Sequence, residues 1–266
     1  MKFKKLSILI ALCTVGLCLT IPNQAHASVY KTVKTTYTKS GERTPLLYHA
    51  TNTSKSISVW NLNHTKVRYN LKNHPATTYT VNAITTFSHN GKKAVYYHVI
   101  PLSPEKDTKL PGGYVWHNYL AKGHNPNYQL INNESIFYFD TSKEYQAYIK
   151  KSPSQALTRK VLALFPNSTV SLDLSRAALK VNQNTFNITN IQSINRISTL
   201  DVYLNTANST STSQRYAKIK SLLLANGYTT SKRNQKLVIG IDLDNFTFHS
   251  WADGMMEQGF ITGIEK

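Results

Sequence analysis

The chain has 266 residues with 31 Lys and Arg against 13 Asp and Glu, a formal net charge of +18, and only 2 cysteines. Both cysteines, Cys13 and Cys18, sit in a segment that reads as a removable leader, so the expected mature chain has no thiol. That excludes disulfide scaffolds, thiol peptidases and thiol transpeptidases, and leaves the fold to be held by its cores.

Lys2, Lys4 and Lys5 precede an apolar run over residues 6–21, and Ala25-His26-Ala27 offers the small residues of a cleavage site. Residues 1–27 are therefore expected to be a signal peptide, with the mature chain starting at Ser28. Thr14, Gly16 and Thr20 interrupt the run and Pro22-Asn23-Gln24 ends it, so no integral membrane anchor is expected after cleavage. Leu12 and Leu17 stand where lipidation of either cysteine would need a small residue. Loss of the three leader lysines leaves +15, with 13 Lys and Arg against 3 acids over residues 28–126 and 15 against 10 thereafter. Such an excess attracts polyanions through salt-screened fields. For an exported chain the expected partner is an anionic cell-wall polymer or a membrane headgroup, not nucleic acid; plain solubility is the competing use of the charge.

Residues 28–43 read as a linker. From 44 to 122, short Tyr-, Val- and Thr-rich segments separated by turn residues predict strands at 44–50, 56–61, 77–83, 94–100 and 113–120, the spacing of a small barrel or sandwich. Asn90-Gly91 predicts a tight hairpin, because both residues tolerate positive φ. Alternation puts Val95, Tyr97 and Val99 on the expected core face, with Tyr96, His98 and Ile100 opposite. In the last strand Tyr114, Trp116 and Asn118 oppose Val115, His117 and Tyr119, and either set could be interior.

Trp60, the Asn90-Gly91 hairpin, Val95-Tyr96-Tyr97-His98-Val99 and the closing Gly113-Tyr114-Val115-Trp116-His117-Asn118-Tyr119-Leu120 resemble the SH3-like cell-wall modules, including the GW type, of Gram-positive surface proteins, particularly those of lactic-acid bacteria. Tyr114 stands where Trp is common in them. The resemblance covers residues 44–122 and implies noncovalent binding of peptidoglycan or teichoic acid without catalysis. The residues suit that role: sugar faces stack on aromatic rings, and phosphates pair with Lys or Arg. Trp60, Tyr96, Tyr114 and Trp116 are the candidate ring contacts. Lys92 and Lys93 are the candidate cations, with Lys106, Lys109 and Lys122 nearby. The competing reading makes each ring an ordinary core residue.

From 130 to 266 the pattern changes to α+β, so the expected fold class is an all-β SH3-like barrel followed by an α+β domain, the latter resembling no family. A strand is predicted at 135–140, then a helix through Glu144 and Tyr148 capped by Asp140, Thr141 or Ser142. A second helix starts at Pro153 and runs through Leu157, Val161 and Phe165. Alternation predicts strands at 170–174 and 179–182, and another strand is expected at 199–204. An apolar stripe of Tyr216, Ile219, Leu222 and Leu223 predicts a helix over 214–225 ended by Asn226-Gly227, and 237–243 predicts a last strong strand.

No catalytic set stands out. The best acid pair is Asp242 and Asp244, two apart in a strand and so about 7 Å apart on one face, a separation glycosidases use; a solvated strand end explains them equally. Ser103-Pro104-Glu105-Lys106 lies in a turn, without the partner motifs that a Ser-x-x-Lys enzyme needs. The nine histidines show no metal-ligand spacing, and no phosphate loop is present, so no metal and no cofactor is expected. The chain ends in Ile264-Glu265-Lys266 without a sorting signal, so attachment would be noncovalent. Wall binding leads; a wall-glycan hydrolase using Asp242 and Asp244, and an adhesin, are the alternatives.

Overall fold

In a computed structural model describing residues 29–38, 46–102, 110–131, 134–179, 188, 190–206, 211–243 and 258–266, the chain builds two sheets and a set of helices, a mixed α+β fold. The leader, Cys13, Cys18, Lys106, Lys109 and Asp244 lie outside the described residues.

The first sheet contains β1 (Lys31–Tyr37), β2 (Leu47–Ala50), β3 (Ser58–Trp60), β4 (Val67–Asn70), β5 (Tyr79–His89), β6 (Lys92–Pro101), β7 (Gly113–Trp116) and β8 (Leu120–Lys122). Its order is β4-β3-β7-β6-β5-β2-β8, all antiparallel, with β1 added along the second half of β5. Only the 3-10 turn His117–Tyr119 separates β7 from β8, yet β8 pairs with β2 at the far side of the sheet. So short a link forces the sheet to curl into a half-barrel. The Asn90-Gly91 hairpin forms as expected, with φ of 50° and 76°.

A bulge between Val81 and Ala83 switches the side-chain parity of β5. Before it Tyr79 and Val81, and after it Ile84, face the inner core with Val59, Val99 and Val115. Ala83, Thr85 and Phe87 are thereby turned to the other face, opposite His98, Tyr96 and Ala94 of β6. The core assignment of Val99 and Tyr97 holds, while Val95 is only half-buried and outside that cluster; Val115, fully buried, settles the sidedness of β7, but His117 and Tyr119 of its set fall in the turn that follows and do not bury. The segment expected as one strand over 113–120 is broken by the 3-10 turn.

The second half begins with a 3-10 turn at Ile136–Tyr138 where a strand was expected: Ser135 Oγ accepts from the Phe137 amide, and the segment has no sheet partner. It continues with α1 (Ser142–Lys151, capped by Thr141), α2 (Ala156–Leu162), β9 (Thr169–Val170), α3 (Leu172–Ala178), β10 (Ile191–Arg196), α4 (Ser198–Thr206), α5 (Thr212–Ala225), α6 (Thr230–Arg233), β11 (Val238–Asp242) and β12 (Gly259–Glu265). The sheet order is β10-β12-β11-β9, with β9 parallel to β11 and the rest antiparallel. Ile239, Ile241 and Phe260 face α2, α4 and α5, while Val238 and Ile261 face α3.

Two expected strands are helices. Residues 170–174 contribute one strand residue, Val170, and then the start of α3, because Ser171 Oγ caps it by accepting from the Leu174 amide and Leu174, Ala177 and Ala178 all bury. Residues 199–204 lie in α4, whose Leu200 and Leu204, four apart, enter the core together. The helix over 214–225 and its left-handed Gly227 cap, at φ 80°, are as expected. The strands β10 and β12 correct the sequence reading, which left those segments without a strand.

The halves meet at residues 123–131. The Asn125 Nδ2 donates to the carbonyls of Pro75 and Thr77, and Asn127 Nδ2 to that of Pro75. Ala76 is buried among Tyr128, Ile131 and Phe139. His124 has its Nε2 2.9 Å from Glu134 Oε2, with both side chains fully buried, and its Nδ1 3.1 Å from the Asn125 carbonyl oxygen. Phe139 stacks on the imidazole at 4.7 Å. Burial opposes the charge on His124, but the hydrogen bond and negative charge of Glu134 and the Asn125 carbonyl outweigh it and hold its pKa above the usual value.

Candidate functional site

Cross-strand register brings the four candidate rings to one face. Trp60 of β3 pairs with Tyr114 of β7, Tyr114 with His98 of β6, and Tyr96 with Trp116. Because Val59, Val99 and Val115 point to the inner core, these residues project from the opposite face, where all of them are half-buried. Neither fully interior nor free in solvent, they form a surface of rings. Beneath them lies Phe87, delivered by the β5 bulge and 1% exposed, edge-on to Tyr96 at 5.5 Å and to Tyr114 at 5.3 Å.

Three further residues, Tyr30, His64 and His89, complete the face and carried no signal in the sequence. Asn61 organises the turn after β3 by accepting from the amides of Thr65 and Lys66, and this places His64 in the left-handed region at φ 54°. A non-glycine residue held there costs free energy, on the order of 1 kcal/mol. The His64 ring stacks on Tyr30 at 3.9 Å and meets Tyr96 edge-on at 4.7 Å. On the other side of Tyr30, His89 stacks at 4.2 Å. Burial pushes the His64 pKa down, and burial together with the Arg68 charge does the same to His98. Burial also raises the phenol pKa values of Tyr96 and Tyr114.

The electrostatics are one-sided. Between Arg43 and Pro104 the sequence has no Asp or Glu. The three acids of the first half, Glu42, Glu105 and Asp107, lie outside the described residues. The nine described Lys and Arg from Lys31 to Lys122 are all exposed. Lys92 and Lys93 project from the tip of the β5–β6 hairpin, Lys92 directly across from His89. The ion pairs found among the described residues lie at the junction, His124 with Glu134, or in the second half, Arg176 with Asp173 and Arg196 with Asp201.

Asp242, half-buried, ends β11 opposite Gly259; its intended partner Asp244, with His249 and Asp253, falls outside the described residues. A cleft of about 550 Å³ lies beside β9 and includes Ser142, Ser171, Asp173, Arg176 and Glu265. Its two serines have structural roles, Ser171 Oγ capping α3 and Ser142 Oγ accepting from the Leu172 amide. Among the described residues no group of three or more His, Cys, Asp or Glu is placed to hold a metal, and no helix is long and apolar enough to cross a membrane. No protein-family model, curated protein or solved structure matches this chain.

Proposed function

We propose that the protein is a secreted, noncovalently wall-associated binding protein whose curled sheet includes, over residues 44–122, an SH3-like module that holds an anionic cell-wall polymer. The observation that carries this reading is the ring face of Trp60, Tyr96, Tyr114 and Trp116 set in a sheet whose described charges are all positive. Rings offer stacking surface to sugars and exposed lysines meet phosphates without a competing carboxylate. Pairing of β2 with β8, the first and last strands of that span, supports the small-barrel reading. Each contact is weak, and a repeating polymer compensates by presenting many identical epitopes.

The test is sedimentation of the mature chain with purified Gram-positive cell walls, before and after extraction of teichoic acid. Retention at physiological salt that falls on extraction is expected. Absence of retention from intact walls refutes the proposal.

A further inference from the structure

The ring face carries three imidazoles, His64, His89 and His98, which stacking of sugars on rings and pairing of phosphates with lysines do not use. Their surroundings differ from those of the buried His124, whose charge is neutralised by Glu134. The groups facing His64 are Tyr30 ahead of β1, Trp60 on β3, Phe87 and His89 on β5, Tyr96 on β6 and Tyr114 on β7. His89 faces Tyr30 and lies across from Lys92. His98 faces Asn82, whose Oδ1 is 2.6 Å from its Nδ1, as well as Tyr114 and Arg68. None of these neighbours is a carboxylate. A proton taken up here therefore adds in full to the positive charge of the face.

We infer that this face is an acid-strengthened grip: proton uptake by its imidazoles tightens the hold on a polymer of permanent negative charge, a phosphodiester or sulfate chain. The inference rests on the wall-binding reading and adds its regulation. Imidazole is the side chain that ordinarily titrates between about pH 5 and about pH 8. Burial holds His64 and His98 below the ordinary histidine value, so in the free protein their protonation is disfavoured. An anion laid across the face supplies the missing counter-charge and draws protons onto them. By linkage, whatever raises their proton affinity is itself bound more tightly in acid. The Tyr30 ring stacked on His64 also favours an imidazolium over its face.

The experiment uses the mature chain on purified walls and on heparin-agarose, whose sulfates keep their charge across this range. The readout is the salt concentration that releases half the protein at about pH 5 and at about pH 7.5. We expect the ratio of the two to be about two or more, to fall to near one in the triple variant His64→Asn, His89→Gln, His98→Gln, and to persist in the control His49→Gln, His74→Gln. Asparagine is chosen at 64 because it tolerates the left-handed backbone. In the wild-type chain, NMR titration of the His64 and His98 ring protons is expected to show their pKa values rising when heparin is added, a readout independent of the variants' folding. An unchanged ratio in the triple variant, or unmoved ring titrations, overturns the inference alone. Absence of retention on walls at both pH values overturns the wall-binding reading with it.

Discussion

Replacing Gly240 by alanine tests the packing of the second sheet most directly. A Cβ built there meets the Leu174 carbonyl oxygen at 2.3 Å, its carbon at 2.4 Å and the Ser175 nitrogen at 2.8 Å. Ordinary contact needs about 3.5 Å, so α3 and β11 must separate by about 1 Å. These are backbone atoms of two regular elements, and no rotamer change relieves the clash. On the adjacent strand Gly259 presses in the same way on the Ala178 carbonyl, one helical turn further along, so the helix cannot tilt away. A gap of that size forfeits a quarter to a half of the dispersion contacts of Leu174, Ala177 and Ala178 and strains the bond from the Ile241 amide to Ser175 Oγ. The expected loss is about 3 kcal/mol, reduced slightly by the stiffer unfolded chain. Thermal unfolding followed by circular dichroism would show a fall in Tm of roughly 6–12 °C. Gly263→Ala is the comparison, since its Cβ would press mainly on the Ile191 side chain, which can adjust, and would meet backbone only at the Ser193 carbonyl oxygen, at 3.2 Å. A Gly240→Ala variant as stable as wild type, or less perturbed than Gly263→Ala, would refute this account of the helix.

At the junction, Glu134→Gln removes the charge opposite His124 and is expected to cost about 2 kcal/mol, read from denaturant midpoints. Because the folded His124 pKa is raised, the pair's contribution is fully present below the ordinary histidine value near 6.5 and is lost as pH rises through the raised one. The difference between wild type and variant should therefore be largest in mildly acid solution and shrink in alkaline solution. Lys92→Gln with Lys93→Gln, both exposed, should leave Tm within about 1 °C of wild type. The same variant should lower wall retention at low salt, and equal retention would remove the hairpin tip from the binding face.

The first half was legible in the sequence because its signals are local. Asn90-Gly91 fixes one hairpin and hence the register of Tyr96 against Thr85, and strict alternation in 95–99 names the core face. What alternation could not reveal was the bulge at Val81, which buries Phe87 on the opposite face, or the turn that swings His64 onto Tyr30. The second half was less legible because tertiary contacts override local preference. Ser171-Leu172-Asp173-Leu174 alternates like a strand, but it becomes a helix because two glycines more than sixty residues away open a groove for its backbone. Thr199 to Leu204 is rich in strand formers, yet Leu200 and Leu204 find the core only at helical spacing. β12 was hidden by its own glycines, Gly259 and Gly263.

The junction also sets how the molecule carries a load. Tension between the curled sheet and the second half must cross residues 123–131, where two asparagine amides clasp the carbonyls of Pro75 and Thr77, and a buried ion pair braces the bend just beyond. Those bonds join the two halves at several points along the same short segment. A protein moored at one end and tugged at the other would thus behave as a stiff rivet, with its give confined to whichever half unravels sooner.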